Sequence, residues 1–224
     1  PGERVGGGSR SANWRVCVEG GYVCGVYGGY VQPVAPSTVS DVTIGFGPAP
    51  ADSNAHAAIG TNGGVFWRGI RNLGGWERAV FCDTAGGAGT LISDSHLQAS
   101  RVLVEFRGCT GMTWKDIVVQ NSILETIPTT SRVAYSSETP RGYAAALVLA
   151  RDGAEGPGCS FDNVAIRGCT IRASDGRHVL GSVDVPGASG CGVQFCNIAG
   201  PWEPLVLAGG AGSMGFREFG NIRG

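Results

Sequence analysis

Few side chains in this sequence have the type and spacing to do chemistry. Asp94 and His96 sit two residues apart in the stretch SDSHL. An imidazole that titrates near neutral pH beside a carboxylate is material for general acid–base catalysis. The plainer reading of the stretch is a turn, with Asp94 as its turn residue. Lys115 and Asp116 recur as Asp162 and Asn163 one repeat later. On neighbouring strands Lys115 would stand one strand spacing from Asp162, as a stacked surface ion pair or as a lysine base. Asp175, Arg177, His178 and Asp184 make a third polar stretch, readable as a solvated turn or as a sugar-binding acid–base cluster. His96, Lys115, Asp175, His178 and Asp184 are the candidate catalytic residues.

The stretch LETIPTTSRVAYSSETPRGYA, at about residues 124–144, interrupts the pattern described below and reads as an inserted loop. Its Arg132, Tyr135, Glu138, Arg141 and Tyr143 are the candidate binding residues, because tyrosines and arginines suit sugar rings and protein hot spots. The alternative is a loop that only covers a wall of the fold. Eight cysteines are present, none in a CxxC pair, and His56, His96 and His178 lie apart from them. No metal site and no cofactor is expected from that spacing. Cys17 and Cys24 flank a Gly-containing segment and could bridge a hairpin; most of the others read as small apolar core residues. Gly-X-Ser-X-Gly is absent, and the Gly-rich segments open no helix that could receive a phosphate.

The elements that must position these residues follow from composition and repeat. The chain has 224 residues, 42% hydrophobic and only 16% charged, with a net charge of −1. That balance is enough for a sizeable core, argues against disorder, and lacks the clustered positive charge that nucleic-acid binding needs. No apolar run is long enough for a membrane span. Glycine numbers 39 without a Gly-X-Y period, which excludes collagen and points to many tight turns between short strands. No apolar leader segment is visible near Pro1, so the chain reads as a mature form, a fragment, or one that lost only its initiator Met.

A short motif recurs: a large apolar residue, a variable one, then Asn, Asp or Gly. Its copies are Ile70-Arg71-Asn72, Ile92-Ser93-Asp94, Val119-Gln120-Asn121, Ile166-Arg167-Gly168, Phe195-Cys196-Asn197 and Phe219-Gly220-Asn221. A second apolar strand precedes most copies, as in VLVEF (102–106) and ALVL (146–149), and a Gly-rich turn lies between the two. Each copy therefore reads as strand, Gly turn, strand, Asn turn. Short strands bury their faces only by stacking, so the copies read as rungs of a solenoid. The third residue tolerates a left-handed backbone, and stacked Asn72, Asn121, Asn197 and Asn221 would form a hydrogen-bonded ladder. Alternation puts Val102, Val104 and Phe106 inward. It puts Leu103, Glu105, Phe81, Val148 and Val206 outward, as an apolar stripe covered by the insertion or by another chain.

The segments GCSFDNVAIRGCTI (158–171), GMTWKDIVVQNSI (111–123) and GCGVQFCNIAG (190–200) give the chain a resemblance to the right-handed parallel β-helix superfamily, which includes pectate-lyase-like enzymes, polygalacturonase-like enzymes and phage tailspikes. The resemblance covers about residues 38–224. It implies an all-β right-handed parallel β-helix of about six or seven irregular rungs, preceded by a Gly/Tyr-rich arm or cap over residues 1–37. A β-sandwich is the structural rival. The polygalacturonase motifs NTDG, GHG and RIK are missing, and no acidic cluster matches the calcium site of the lyases. The expected function is therefore a non-catalytic structural or receptor-binding module of a virion appendage, capsid or other extracellular assembly. Its partners would be other protein chains, in a homotrimer as in the tailspikes, with a glycan as a further ligand. The competing expectation is an enzyme that cleaves or modifies a polysaccharide. The sequence ends directly after the last rung, which reads as a fragment or an end docked on a partner.

Overall fold

The computed structural model describes residues 17–25, 37–46, 57–60, 64–73, 78–82, 87–108, 111–128, 144–151, 159–174, 178–184, 187–204, 206–207 and 216–224. These residues form strands and the turns between them, and among them no helix is long and apolar enough to cross a membrane. Strand β1 (Cys17–Gly25) pairs with a long β2 (Ser37–Phe46). The chain then runs through β3 (Ala57–Gly60), β4 (Val65–Arg68) and β5 (Arg71–Leu73), and repeats that course as β6 (Arg78–Cys82), β7 (Gly87–Ser93) and β8 (His96–Ala99). The next passes are β9 (Val102–Gly108), β10 (Thr113–Gln120), β11 (Ile123–Thr126), then β12 (Ala144–Arg151), β13 (Ser160–Arg167), β14 (Thr170–Arg172). The last two are β15 (His178–Asp184), β16 (Gly187–Ser189), β17 (Cys191–Gln194), β18 (Asn197–Ala199), then β19 (Trp202–Glu203), β20 (Val206–Leu207), β21 (Phe216–Phe219), β22 (Ile222–Arg223).

Every pairing among these strands is parallel, and each strand pairs with its counterpart one pass later. Three walls result. The first stacks β4, β7, β10, β13, β17 and β21; the second stacks β5, β8, β11, β14, β18 and β22; the third stacks β3, β6, β9, β12, β15 and β19. Strand β2 serves both of the first two walls, because its first half pairs with β4 and its second half with β5. The architecture is a solenoid-like coil of parallel strands, and the antiparallel pairing of a β-sandwich is not found among the described strands. Each pass runs through three walls where the sequence pattern showed two strands. Second-wall strands are only two to four residues long, too short to give a period-two signal.

The apolar residues of the repeat point inward from each wall. Trp67, Ile92, Val119, Ile166 and Val193 stack in register in the first wall, and Leu97, Leu124, Ile171 and Ile198 in the second. All are buried, as are Val104, Leu147, Phe106 and Leu149 of the third wall. Burying one such side chain is worth about 1.5–3 kcal/mol, and the stack repeats that gain at each pass. The continuous strand β1 differs from the hairpin read between Cys17 and Cys24. Seven residues of extended chain separate their backbones by about 23 Å, where a disulfide takes a Cα separation of about 4.4–6.8 Å.

The left-handed residues at the corner between the first and second walls are Gly69, Asp94, Asn121, Gly168, Phe195 and Gly220, preceded by Asp41 in β2. Asn121 and Asp94 therefore fill the corner role their residue types favour. Asn72 and Asn197 do not: they lie inside second-wall strands, and Asn72 instead exchanges side-chain hydrogen bonds with the Gln98 backbone. The ladder is built one residue after the left-handed corner, from Ser95, Ser122, Cys169, Cys196 and Asn221. Ile70 N–H donates to Ser95 Oγ at 3.0 Å and Ser95 N–H to Ser122 Oγ at 3.1 Å. The Ser122 and Cys169 backbones make the equivalent hydrogen bonds to the sulfurs of Cys169 and Cys196, and Cys196 N–H donates to Asn221 Oδ1 at 2.9 Å. Each serine or cysteine in turn donates to a carbonyl two residues back on its own strand. Of the asparagines expected in a ladder, only Asn221 belongs to it.

The outward column of the third wall contains Phe81, Glu105 and Val148 in register, as the alternation predicts. Val102 and Leu103 exchange faces relative to expectation. Leu103 joins the main core beside Val104, and the same break in alternation recurs at Ala79–Val80 and Ala146–Leu147. Outside the wall, Val102, Ala145, Val148, Ala150 and Val179 form a second apolar cluster. These residues are buried within a single chain, so the apolar stripe needs no second copy to cover it. On the same face Glu105 is sealed between two guanidiniums, hydrogen-bonded to Arg78 Nε and to Arg107 Nε at 2.7 Å, and both arginines lie over the Phe81 ring. Burial pushes the Glu105 carboxyl up, but the charges and hydrogen bonds of Arg78 and Arg107 outweigh it and hold the group below 4.5.

Two outcomes are expected. Ser122→Ala strands the Ser95 amide and should cost about 1–3 kcal/mol in urea unfolding, whereas Ser122→Cys, the residue already used one rung on, should cost less. Glu105→Gln leaves two guanidiniums buried without their counter-charge and should cost about 3–5 kcal/mol at neutral pH. A carboxyl whose folded pKa is depressed stabilises fully above its unfolded value and loses that contribution as pH falls through the folded one. Wild-type stability from this group should therefore be flat from neutral pH to about 4.5 and decline below it, and that decline should be smaller in the variant.

Candidate functional site

The outer face of the second wall collects polar side chains from neighbouring strands. Parallel register stacks Arg71, His96, Ile123, Thr170 and Asn197 in one column, and Gln98, Glu125 and Arg172 in the column two residues on. His96 Nε2 lies 3.2 Å from Glu125 Oε2, and Gln98 Nε2 donates to the same oxygen at 3.0 Å. Both His96 and Glu125 are about one-third exposed. The Gln98 hydrogen bond is the largest influence on the Glu125 carboxyl and pulls it below 4.5; partial burial opposes it, and His96 and Arg172 reinforce it. Glu125 is therefore ionised at neutral pH. It can accept hydrogen bonds from hydroxyls or orient the imidazole, but it is not poised to donate a proton. Arg71 and Arg172, both exposed, bracket the pair about three strand spacings apart, roughly 14 Å. That layout suits a hydroxylated or anionic chain laid along the stack.

The other sequence candidates are held elsewhere. Lys115 pairs in register with Asp162, and its Nζ lies 3.8 Å from Asp162 Oδ2 with both side chains about half exposed. Next to them Asp116 and Asn163 both take a left-handed backbone, joined by Asn163 Nδ2 donating to Asp116 Oδ1 at 2.8 Å. Arg167 extends this chain of contacts to Asn163 and to Gln194 on the next strand. Asp94 makes an exposed ion pair with Arg68 at 3.3 Å. His178 is not in a solvated turn: it is buried, with Nε2 2.8 Å from Thr126 Oγ1 and its ring 4.9 Å from that of Trp202. It ties the end of β11 to the start of the third wall. Asp175, Arg132, Tyr135, Glu138, Arg141 and Tyr143 lie outside the described residues, and so does the side chain of Asp184.

Gln98, Glu125 and Arg172 were not singled out by the sequence. Glu125 falls where the inserted loop was placed, but strand β11 continues through Thr126, and only the register with β8 and β14 shows its neighbours. A second missed feature is a ridge at the last corners. Phe195 carries φ +53°, where every other corner residue is Asp, Asn or Gly. Its ring meets that of Phe219 edge-on at 5.1 Å, and a Cβ on Gly220 would come within 2.6 Å of it. Phe195 and Phe219 are each 60% exposed and Ile222 68%.

Gln98→Leu removes the main donor to Glu125, so the Glu125 pKa should rise toward 4.5, read by NMR titration of its side-chain carboxyl carbon. No shift would mean that His96 alone controls the group. No protein-family model, curated protein or solved structure matches this chain.

Proposed function

We propose that the chain is a right-handed parallel β-helix that serves as a non-catalytic structural or receptor-binding module of an extracellular assembly, of the virion-appendage or capsid kind. The hand rests on the general rule that crossovers between parallel strands of one sheet are right-handed in about 98% of cases. The reading of function rests on Phe195. A left-handed backbone costs a residue with a Cβ about 1–2 kcal/mol, and local strain of this kind persists where a surface is put to use. Here the strained residue is aromatic, exposed, and continuous with Phe219 and Ile222. Arg217, Glu218 and Arg223 rim the patch, with Arg223 Nη2 3.0 Å from Glu218 Oε2. An aromatic centre with a charged rim is the composition of a protein interface, and the occupant proposed is a second copy of this chain. The third wall, already buried within one chain, is not needed for assembly.

Light scattering at micromolar concentration tests the reading. The wild type is expected as a trimer or another defined oligomer. Phe195→Asn combined with Phe219→Ser should return it to a monomer with a melting temperature within a few degrees, because asparagine relieves the strained corner. A monomeric wild type would remove the homotypic interface.

A polysaccharide-acting enzyme is the second reading, favoured by the His96–Glu125 pair between Arg71 and Arg172 on the second wall. Release of reducing ends or unsaturated products from acidic polysaccharides, abolished by His96→Ala without loss of fold, would establish it and overturn the non-catalytic reading.

A further inference from the structure

We propose that Cys169 and Cys196 form a redox pair that closes into a disulfide between adjacent rungs when the protein meets a peroxide. The two residues hold the same ladder position on consecutive passes, fixed by the register of β14 with β18 and by Asn197 N–H donating to Cys169 O at 2.9 Å. Rung spacing of about 4.8 Å lies inside the Cα separation of about 4.4–6.8 Å that a disulfide accepts. Neither Ser95 and Ser122 before the pair nor Asn221 after it carries a thiol, so this is the one step of the ladder where two sulfurs stack.

The pair is chemically asymmetric. The neighbouring Cys196 sulfur, together with burial, raises Cys169 well above the ordinary thiol range. The same neighbour contact lowers Cys196, against burial and with help from the Cys169 backbone. Cys191, nearby in sequence, is pushed up to about 11 by burial and the charge of Asp162. On the stacking fixed by β14 and β18, the direction of the two shifts favours attack by the Cys196 sulfur and resolution by Cys169. The Cys196 sulfur attacks one peroxide oxygen: an S–O bond forms, the O–O bond breaks, and hydroxide leaves to become water. The Cys169 sulfur then attacks the sulfenic sulfur. An S–S bond forms, the S–O bond breaks, and the Cys169 proton leaves with the oxygen as a second water. Two thiols lose two electrons and one peroxide is reduced to two waters. Both sulfurs are buried, which shuts out bulky disulfides and makes a small peroxide the oxidant to test.

The test uses the folded chain carrying Cys191→Ser, because one tryptic peptide holds both Cys191 and Cys196. Hydrogen peroxide at a few equivalents should give a 2 Da mass loss and link the peptide GCTIR (168–172) to the one carrying Cys196, with a melting temperature raised by several degrees. Cys169→Ser should trap a sulfenic acid on Cys196, detected as a dimedone adduct. Cys196→Ser should leave Cys169 labelled about tenfold more slowly or not at all. Serine already occupies this position at Ser95 and Ser122, so both variants should fold. Over-oxidation of Cys196 without a cross-link, disulfides between chains, or equal labelling of the two single variants would each overturn the proposal.

Discussion

The structure depends on what happens to the backbone amide after each sharp corner. A left-handed residue turns the chain from the first wall into the second, and the next amide is then buried, facing along the coil axis with no strand partner. An unsatisfied buried amide costs about 1–3 kcal/mol, and a coil would incur that cost at every pass. The side chain at the equivalent position of the next pass takes the hydrogen bond instead, from Ile70 through Ser95, Ser122, Cys169 and Cys196 to Asn221. Serine, cysteine and asparagine all serve because each offers an acceptor of the right reach; the serines and cysteines then donate to a carbonyl on their own pass, and Asn221 to Val193 O one pass back. A one-residue slip would place Ile70 or Ser95 at the left-handed corner and break the ladder and the core together.

That ladder sets the register, and register sets everything else on the outside. His96 and Glu125 are 29 residues apart in sequence, and only the β8–β11 alignment makes them neighbours. The same logic places Lys115 over Asp162 and Phe195 over Gly220. The buried Glu105 with Arg78 and Arg107 sits differently. Its ionic groups occupy outer columns that carry Val148, Ala145 and Ala150 one pass later, so burial there is tolerable only because the carboxylate has two guanidiniums and both guanidiniums lie over the Phe81 ring.

Much of the fold was legible because its signals are local and repeated. The apolar position before each corner, the Asp and Asn at Asp94 and Asn121, and the Lys115–Asp162 alignment could all be read along one strand. What was missed depends on elements too short to carry a pattern. Second-wall strands such as Arg71–Leu73 have no room for alternation, so Gln98, Glu125 and Arg172 gave no sign of a shared face. The Asn repeat misled at Asn72 and Asn197, which stand three residues past Gly69 and two past Phe195, because such a drift in the motif looks like tolerance in sequence and is a change of role in space. His178 read as solvated since its polar neighbours in sequence hid the Thr126 and Trp202 that surround it.

Phe195 is the point where local preference and the observed corner disagree most. Neighbouring corners satisfy the left-handed backbone with Gly168 and Gly220, and one of these, Gly220, also leaves the space that the Phe195 ring fills. Two adjacent corners are thus adapted to hold one aromatic side chain that remains 60% exposed. Edge-on packing against Phe219 is worth about 0.5–1.5 kcal/mol, which at most offsets the backbone strain and leaves no net folding advantage over asparagine or glycine. Stability alone therefore does not account for phenylalanine at this corner, and that imbalance is what the interface proposed for Phe195 and Phe219 rests on.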